Sequence, residues 1–423
     1  IAREMGVDED PRRSEACLKC HATAWHDPAN GVADTYAVYE GVGCEACHGA
    51  GGDYMPEAIM RDPIAAMEAG LKTVSRDTCA RCHENAHGKP FDYEAALEAI
   101  AHPTELPQQI ERPIYKTPLG LTIAPDGREM YVACEASHTV IVIDLEKRLK
   151  IDEIAVGGQP TSVAFTPDGQ RAFVTNRLDD SVSVIDVADR KVIATLPVAD
   201  EPHGLVTDQD GRRLYVLNTS SDSISVFDLE TLEETKRLAA GRSPWDLALA
   251  PEGDRILVTS VLSHFSEFRQ PHVSEVTVID VERAVVDDRY MVPETNLMQG
   301  IDWHPSGRFA LFTMNRTKNL IPMTRLMQGW TITATLGIAW RDGKVDQVLL
   351  DEPHKSFADP TDVACTPDGR FALVTGAGTD RVAVVDLEKL LELIESADEY
   401  EREYILPNHM GKPTEFIVKH IPT

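Results

Sequence analysis

The sequence predicts two domains of different class: a small α/irregular domain built around cysteine–histidine motifs, then an all-β propeller. Two observations carry this. The pattern Cys-x-x-Cys-His occurs three times between Cys17 and His83. From Pro118 onward a turn-then-strand pattern recurs six times, and nothing in it has a helical period. The domains read as 1–103, a linker at 104–117, and a propeller at 118–423.

The chain has 423 residues, 43% of them hydrophobic, enough for two or three domains with a sizeable core. Its formal net charge of −28 argues against nucleic acid and against anionic membrane surfaces. It suits partners that carry basic patches. No apolar run reaches transmembrane length. The chain opens on Ile1 rather than Met, and a leader, with or without more chain, is expected upstream of it.

The first domain is organised by Cys17-Leu18-Lys19-Cys20-His21, Cys44-Glu45-Ala46-Cys47-His48 and Cys79-Ala80-Arg81-Cys82-His83. Each reads as a c-type haem attachment site. Two cysteines three apart reach the two vinyl groups on one porphyrin edge, and the following histidine is held under the iron. Structural zinc would leave three histidines at identical offsets without a task. A thioredoxin-type pair needs a βαβ context that is absent. Disulfides do not call for a histidine after every pair. Three covalently bound haem c groups are therefore expected. Cys17, Cys20, Cys44, Cys47, Cys79 and Cys82 would form the thioethers, with His21, His48 and His83 as proximal iron ligands. Such attachment is expected outside the cytoplasm, in the periplasm or at the surface of a prokaryotic cell. The remaining cysteines, Cys134 and Cys365, lie in strand-like runs and read as buried free thiols.

Around the motifs the domain is short-helical or irregular, with helices expected near Ala65–Leu71 and Tyr93–Ala101. Gly41, Gly43, Gly49, Gly51 and Gly52 bracket the second motif, where backbone would approach a flat cofactor closely.

These motifs carry a resemblance. The run Cys17 to Thr23, the run Glu40 to Gly49, and Cys79 to His83 followed by Pro90-Phe91-Asp92-Tyr93 and Ile100-Ala101-His102 resemble the multihaem cytochromes related to the tetrahaem electron carrier of ammonia oxidisers. The resemblance covers most of residues 14–103. The chain departs from it twice: no motif precedes Cys17, and the segment after the second motif reads Ala50-Gly51-Gly52-Asp53-Tyr54-Met55, with no histidine. The resemblance implies that His102 is a distal ligand. His26 and His87 are further candidates. Each follows a motif histidine too closely to cross to the far face of its own haem, so each would serve a neighbouring one or remain at the surface. Met55 and Met60 are alternatives, more simply read as packing residues. His138 is remote.

Pro103, Pro107, Pro113 and Pro118 mark the linker, which ends in a strand-like Pro113–Thr117. In the propeller the turn glycines Gly127, Gly169, Gly211, Gly253, Gly307 and Gly369 recur at intervals of 42, 42, 42, 54 and 62 residues. Each turn precedes an apolar strand, such as Ala172–Thr175 or Leu214–Leu217. Then comes an alternating strand ending in Asp, such as Val140–Asp144 or Val182–Asp186, and a fourth strand such as Val192–Pro197. Four strands in about 42 residues is the period of a propeller blade. Tyr215-Val216-Leu217-Asn218 and Phe173-Val174-Thr175-Asn176 resemble YVTN-type propellers, which implies a fold and no activity. Six blades are visible, the last ending in Glu415–Ile421; seven are expected if the chain is truncated.

Insertions fall at Ser263–His272 and Thr317–Trp330, with an acidic helical insert at Leu387–Tyr400. Thr161, His203, Trp245, Asp246, Thr361 and Asp362 start innermost strands and would line a hydrated channel. No catalytic triad, phosphate loop or dinucleotide fingerprint is visible.

Three function classes remain. The first is electron transfer through three close haems, with the propeller as docking or assembly platform for other c-type cytochromes or redox subunits, within a larger complex. The second is an oxidoreductase acting on a small nitrogen or sulfur compound at one five-coordinate haem, motivated by the short supply of distal histidines. The third is a structural protein.

Overall fold

The computed structural model describes residues 45–48, 56, 59, 63–84, 90–100, 115–267, 270–317, 332–352, 356–408 and 414–423. The chain divides into two compact units, Ile1–Arg112 and Pro113–Thr423.

The described part of the first unit is helical. Its helices are α1 (Glu45–His48), α2 (Pro63–Glu68), α3 (Arg76–His83) and α4 (Tyr93–Ile100). The local signals for α3 are plain. Ser75 caps it by accepting from the Thr78 amide, and Thr78 returns the bond to the Ser75 amide. This reciprocal pair satisfies two amides that a helix start leaves without partners. Asp92 caps α4 in the same way, accepting from the Ala95 amide at 3.2 Å.

The second unit is all-β, with six blades among the described residues. Blade one is β1 (Pro118–Ile123), β2 (Glu129–Cys134), β3 (Thr139–Asp144) and β4 (Leu149–Ala155). Blade two is β5 (Pro160–Phe165), β6 (Arg171–Asn176), β7 (Ser181–Asp186) and β8 (Lys191–Pro197). Blade three is β9 (Pro202–Thr207), β10 (Arg213–Asn218), β11 (Ser223–Asp228) and β12 (Glu234–Ala239). Blade four is β13 (Pro244–Leu249), β14 (Arg255–Ser260), β15 (Val273–Asp280) and β16 (Val285–Pro293). Blade five has five strands: β17 (Thr295–Asn296), β18 (Ile301–Trp303), β19 (Phe309–Thr317), β20 (Ile332–Trp340) and β21 (Val345–Leu349). Blade six is β22 (Pro360–Cys365), β23 (Phe371–Gly376), β24 (Arg381–Asp386) and β25 (Ile417–Pro422). Every pairing is antiparallel and the four-stranded blades run in chain order, so each blade is one contiguous meander. Residues 115–117 are irregular, and β1 opens at Pro118 rather than in an earlier strand.

The expected turn chemistry is present. The Gly169 amide donates to the Thr166 carbonyl at 2.8 Å, Gly169 has φ 70°, and Asp168 accepts from the Gln170 amide and the Thr166 hydroxyl. Only glycine takes that φ without strain. The alternating strands bury both faces, because each blade is sandwiched between neighbours: Val182, Val184 and Ile185 are all fully buried. The core is a series of seams between blades. Tyr131, Val140 and Val142 of blade one meet Val163, Phe165 and Val174 of blade two.

The insert after β24 forms α5 (Leu387–Ser396), capped by the Asp386 side chain on the Lys389 amide. Leu387, Leu390 and Ile394 pack it into the seam of blades five and six, leaving its acidic face outside. Most of the Thr317–Trp330 insertion lies outside the described residues.

Candidate haem site and propeller channel

The second and third motifs are partly in view. Cys47 and His48 lie on α1, and Cys79, Cys82 and His83 lie on α3. Three residues apart on a helix, Cys79 and Cys82 share one face, and the histidine follows within the same turn. His83 stacks on Phe91, with ring centroids 5.0 Å apart and planes 17° from parallel, and Phe91 meets Tyr93 edge-on. Cys17, Cys20, His21 and Cys44 lie outside the described residues, as do the distal candidates His26, His87 and His102.

His48 carries the most direct test of fit. Its Nδ1 is 3.0 Å from the carbonyl oxygen of Lys72, and the Lys72 amide donates back to the His48 carbonyl at 2.9 Å. A ring nitrogen facing a carbonyl oxygen donates to it, so Nδ1 is the anchored side of the ring. This is the backbone anchor that metal-ligating histidines use. The residues in view therefore fit a haem held at the second motif.

The propeller's candidate residues divide. Thr161 is buried, and its hydroxyl lies 2.8 Å from that of Thr175, which donates to the His203 carbonyl at 2.7 Å. Thr361 pairs with Thr375 in the same way at 2.8 Å. His203 stacks on Trp245 with centroids 3.8 Å apart, and its Nδ1 lies 2.9 Å from the Trp245 carbonyl. These residues bond to protein groups of the neighbouring strand and blade, and His203, Trp245 and Thr361 keep partial exposure. Burial lowers the pKa of His203 to about 4, so the ring is neutral.

Sequence reasoning named Asp246 and Asp362 but missed Asp302 and the bonds that link these acids. Asp246 and Asp302 are half-buried and Asp362 is exposed. Asp246 accepts from the Ile301 amide at 3.1 Å, and Asp302 accepts from the Cys365 amide at 2.7 Å, each across a seam. Burial, with Asp362 nearby, raises Asp246 to about 7; burial raises Asp302 to about 6. Desolvation also raises Asp362, although its side chain is exposed. Among the described residues no group of three His, Cys, Asp or Glu side chains is arranged to hold a metal ion. These carboxyls act as seam fasteners.

His138 was a remote ligand candidate. It takes a left-handed conformation at φ 56°, and its Nδ1 accepts from the Gln159 amide at 2.9 Å. Asp180 and Asp222 do the same one and two repeats later, accepting from Glu201 and Ser243. His138 is a turn residue of the propeller. Cys134 is buried, Cys365 is partly buried, and neither forms a disulfide. Burial raises the Cys365 thiol to about 12.

Comparison with known proteins first gives the classes. Residues 2–49 match the family described as cytochrome c554 and c-prime, a span that takes in the first two Cys-x-x-Cys-His motifs. Residues 118–244 match the seven-bladed lactonase propellers, and residues 209–301 match the YNCE-like propellers. The chain thus joins a stretch similar to a c-type cytochrome family to a β-propeller.

More particular similarity is to one assembly. The chain is 26% identical over 150 residues to the hydrazine synthase subunit beta of Kuenenia stuttgartiensis, covering 35% of this chain and 39% of that one. The matched stretch is thus well under two thirds of the relative's length. A solved structure of Kuenenia stuttgartiensis hydrazine synthase superposes with a TM-score of 0.69 at 25% identity, over 75% of this chain and 90% of that chain. Among the described residues no helix is long and apolar enough to cross a membrane.

Proposed function

We propose that this chain is a multihaem c-type cytochrome that transfers electrons within a multi-subunit redox complex, its propeller serving as docking platform. Three haems would be held by Cys17 and Cys20, Cys44 and Cys47, and Cys79 and Cys82. His21, His48 and His83 would be their proximal ligands, with His102, His26 and His87 as distal candidates. Bound haem supplies a one-electron ferric–ferrous couple.

The observation that carries the reading is the backbone anchor of His48. The Lys72 carbonyl accepts from Nδ1, the anchor that metal-ligating histidines use, and the ring follows a cysteine pair at thioether spacing. The acidic chain, at −28, would steer partners with basic faces, such as other c-type cytochromes or redox subunits. The similarity to a hydrazine synthase subunit supports membership of a complex. Thioether attachment supports an extracytoplasmic location in a prokaryote. Coulometric titration of the purified protein tests the reading: three electrons per chain are expected, and fewer than three would overturn it.

A second reading is an oxidoreductase that works on a small nitrogen compound at one haem. The relative's name, a synthase of hydrazine, favours it. It requires a high-spin ferric signal and binding of cyanide or nitric oxide. A wholly low-spin spectrum removes it.

A further inference from the structure

His83 and His48 are held in different ways. The last torsion of a histidine side chain is broad and roughly two-fold, so the rotamer alone leaves the plane of the ring open. A contact from outside the ring must fix it. For His48 that contact is the Lys72 carbonyl, 3.0 Å from Nδ1. Among the described residues no hydrogen bond reaches the His83 ring. What meets it instead is a flat face, that of Phe91.

We infer that Phe91 is a positioning residue for His83, its ring setting the plane in which the imidazole of the third motif meets iron. The inference rests on the haem reading proposed above and adds to it a residue that touches no iron. Phe91 would do by stacking what the Lys72 carbonyl does for His48 by hydrogen bonding.

The geometry of the contact carries this first. The two rings lie 17° from parallel with centroids 5.0 Å apart. That is an offset stack, the arrangement flat rings favour. Turning the imidazole about its last bond would break the parallel contact, so the stack opposes the one rotation that the backbone leaves free.

Both ends of the stack are also fixed. His83 closes α3, and the Glu84 amide ends that helix by donating to the Ala80 carbonyl at 3.0 Å. Phe91 comes just before Asp92, the cap of α4. The Asp92 carboxylate accepts from the Ala95 amide at 3.2 Å, and its carbonyl accepts from the Ala96 amide at 3.1 Å. Tyr93, the first residue of α4, braces Phe91 edge-on, with centroids 6.5 Å apart and planes 66° from parallel. Phe91 is thus placed by a helix start, as His83 is placed by a helix end. General packing is no substitute here: no side chain of α3 is fully buried. His83 itself is exposed, and Phe91 is half-buried.

The plane of an axial imidazole governs the splitting of the ferric d orbitals, which electron paramagnetic resonance reads in the g values. Two variants of the full chain test the inference. Phe91→Leu keeps an apolar side chain and removes the flat face. Phe91→Tyr keeps the face. Haem per chain is counted by the pyridine haemochrome, and the oxidised proteins are compared by electron paramagnetic resonance. Three haems are expected in the parent and in both variants. In Phe91→Leu one ferric signal is expected to shift or broaden while the others stay. Phe91→Tyr is expected to return the parent spectrum. Three haems with every signal unchanged in Phe91→Leu would overturn the inference. So would the same shift in both variants, or loss of a haem from Phe91→Leu, which would make Phe91 a residue of attachment rather than of orientation. Fewer than three haems in the parent overturns the underlying reading instead, and the parent count tells the two failures apart.

Discussion

Asp246 lies half-buried on the innermost strand of blade four, where desolvation raises its pKa to about 7. Between about pH 4 and 7 the folded protein keeps a proton there that the unfolded chain has released. This group therefore stabilises the fold in acid, and the contribution is lost as pH rises through about 7. Asp246→Asn keeps an oxygen for the Ile301 amide and removes the titration. Urea midpoints of the variant at pH 5 and pH 8 are expected to differ less than those of the parent; an unchanged slope would contradict the assignment. His203 has the opposite sign. Its pKa is depressed to about 4, so its contribution is present above the ordinary histidine value and is lost as pH falls through about 4. His203→Gln is expected to weaken the loss of stability between pH 6.5 and 4, read by the same urea midpoints. On the proposed reading, His48→Ala would remove one iron ligand and leave the cysteines. One of the three proposed haems would then become high-spin by electron paramagnetic resonance, with the total haem content unchanged. Neither the Asp246 titration nor the His138 turn was legible in the sequence. The Asp246 titration needs Ile301 and Asp362, 55 and 116 residues away, and the partner of His138 lies 21 residues on.

At the scale of elements, the repeat explains most of what the sequence foretold. Pro-Asp-Gly turns and Asp-terminated alternating strands are local, so blade limits could be read to within a residue or two. What joins blades was hidden. Arg171, Arg213 and Arg255 open the second strand of successive blades, and each reaches a backbone carbonyl of the following blade, at Leu229, Val281 and Arg341. Arginine at a strand start carries no such signal by itself. Asn176 is another joint within a blade: its Nδ2 donates to the hydroxyls of Ser181 and Ser183 at 3.1 and 2.9 Å, and Asn218 repeats this with Ser223 and Ser225. Loss of such buried bonds costs about 1–3 kcal/mol. Asn176→Ala is expected to lower propeller stability by that amount in denaturant titration, and no change would show the bonds to be idle. The first unit was legible differently. Its motifs carried the expectation of haem, and its helices at Pro63–Glu68 and Tyr93–Ile100 fell close to where expected. The carbonyl that orients His48 comes from Lys72, 24 residues on, and no local pattern marks it.

At the scale of the whole molecule, two units of unlike construction share one chain, an opening rich in cysteine–histidine motifs and a bladed β-unit. The propeller gains stability from apolar seams. The first unit gives little sign of an apolar core: Ala66 is its one fully covered hydrophobic residue among those described. Porphyrin would supply the missing apolar surface. The account rests on that attachment, and intact mass spectrometry of the native protein after denaturation tests it most directly. The expected mass is the polypeptide plus three haems that survive acid extraction. A mass equal to the bare polypeptide, or haem that extracts freely, would contradict it.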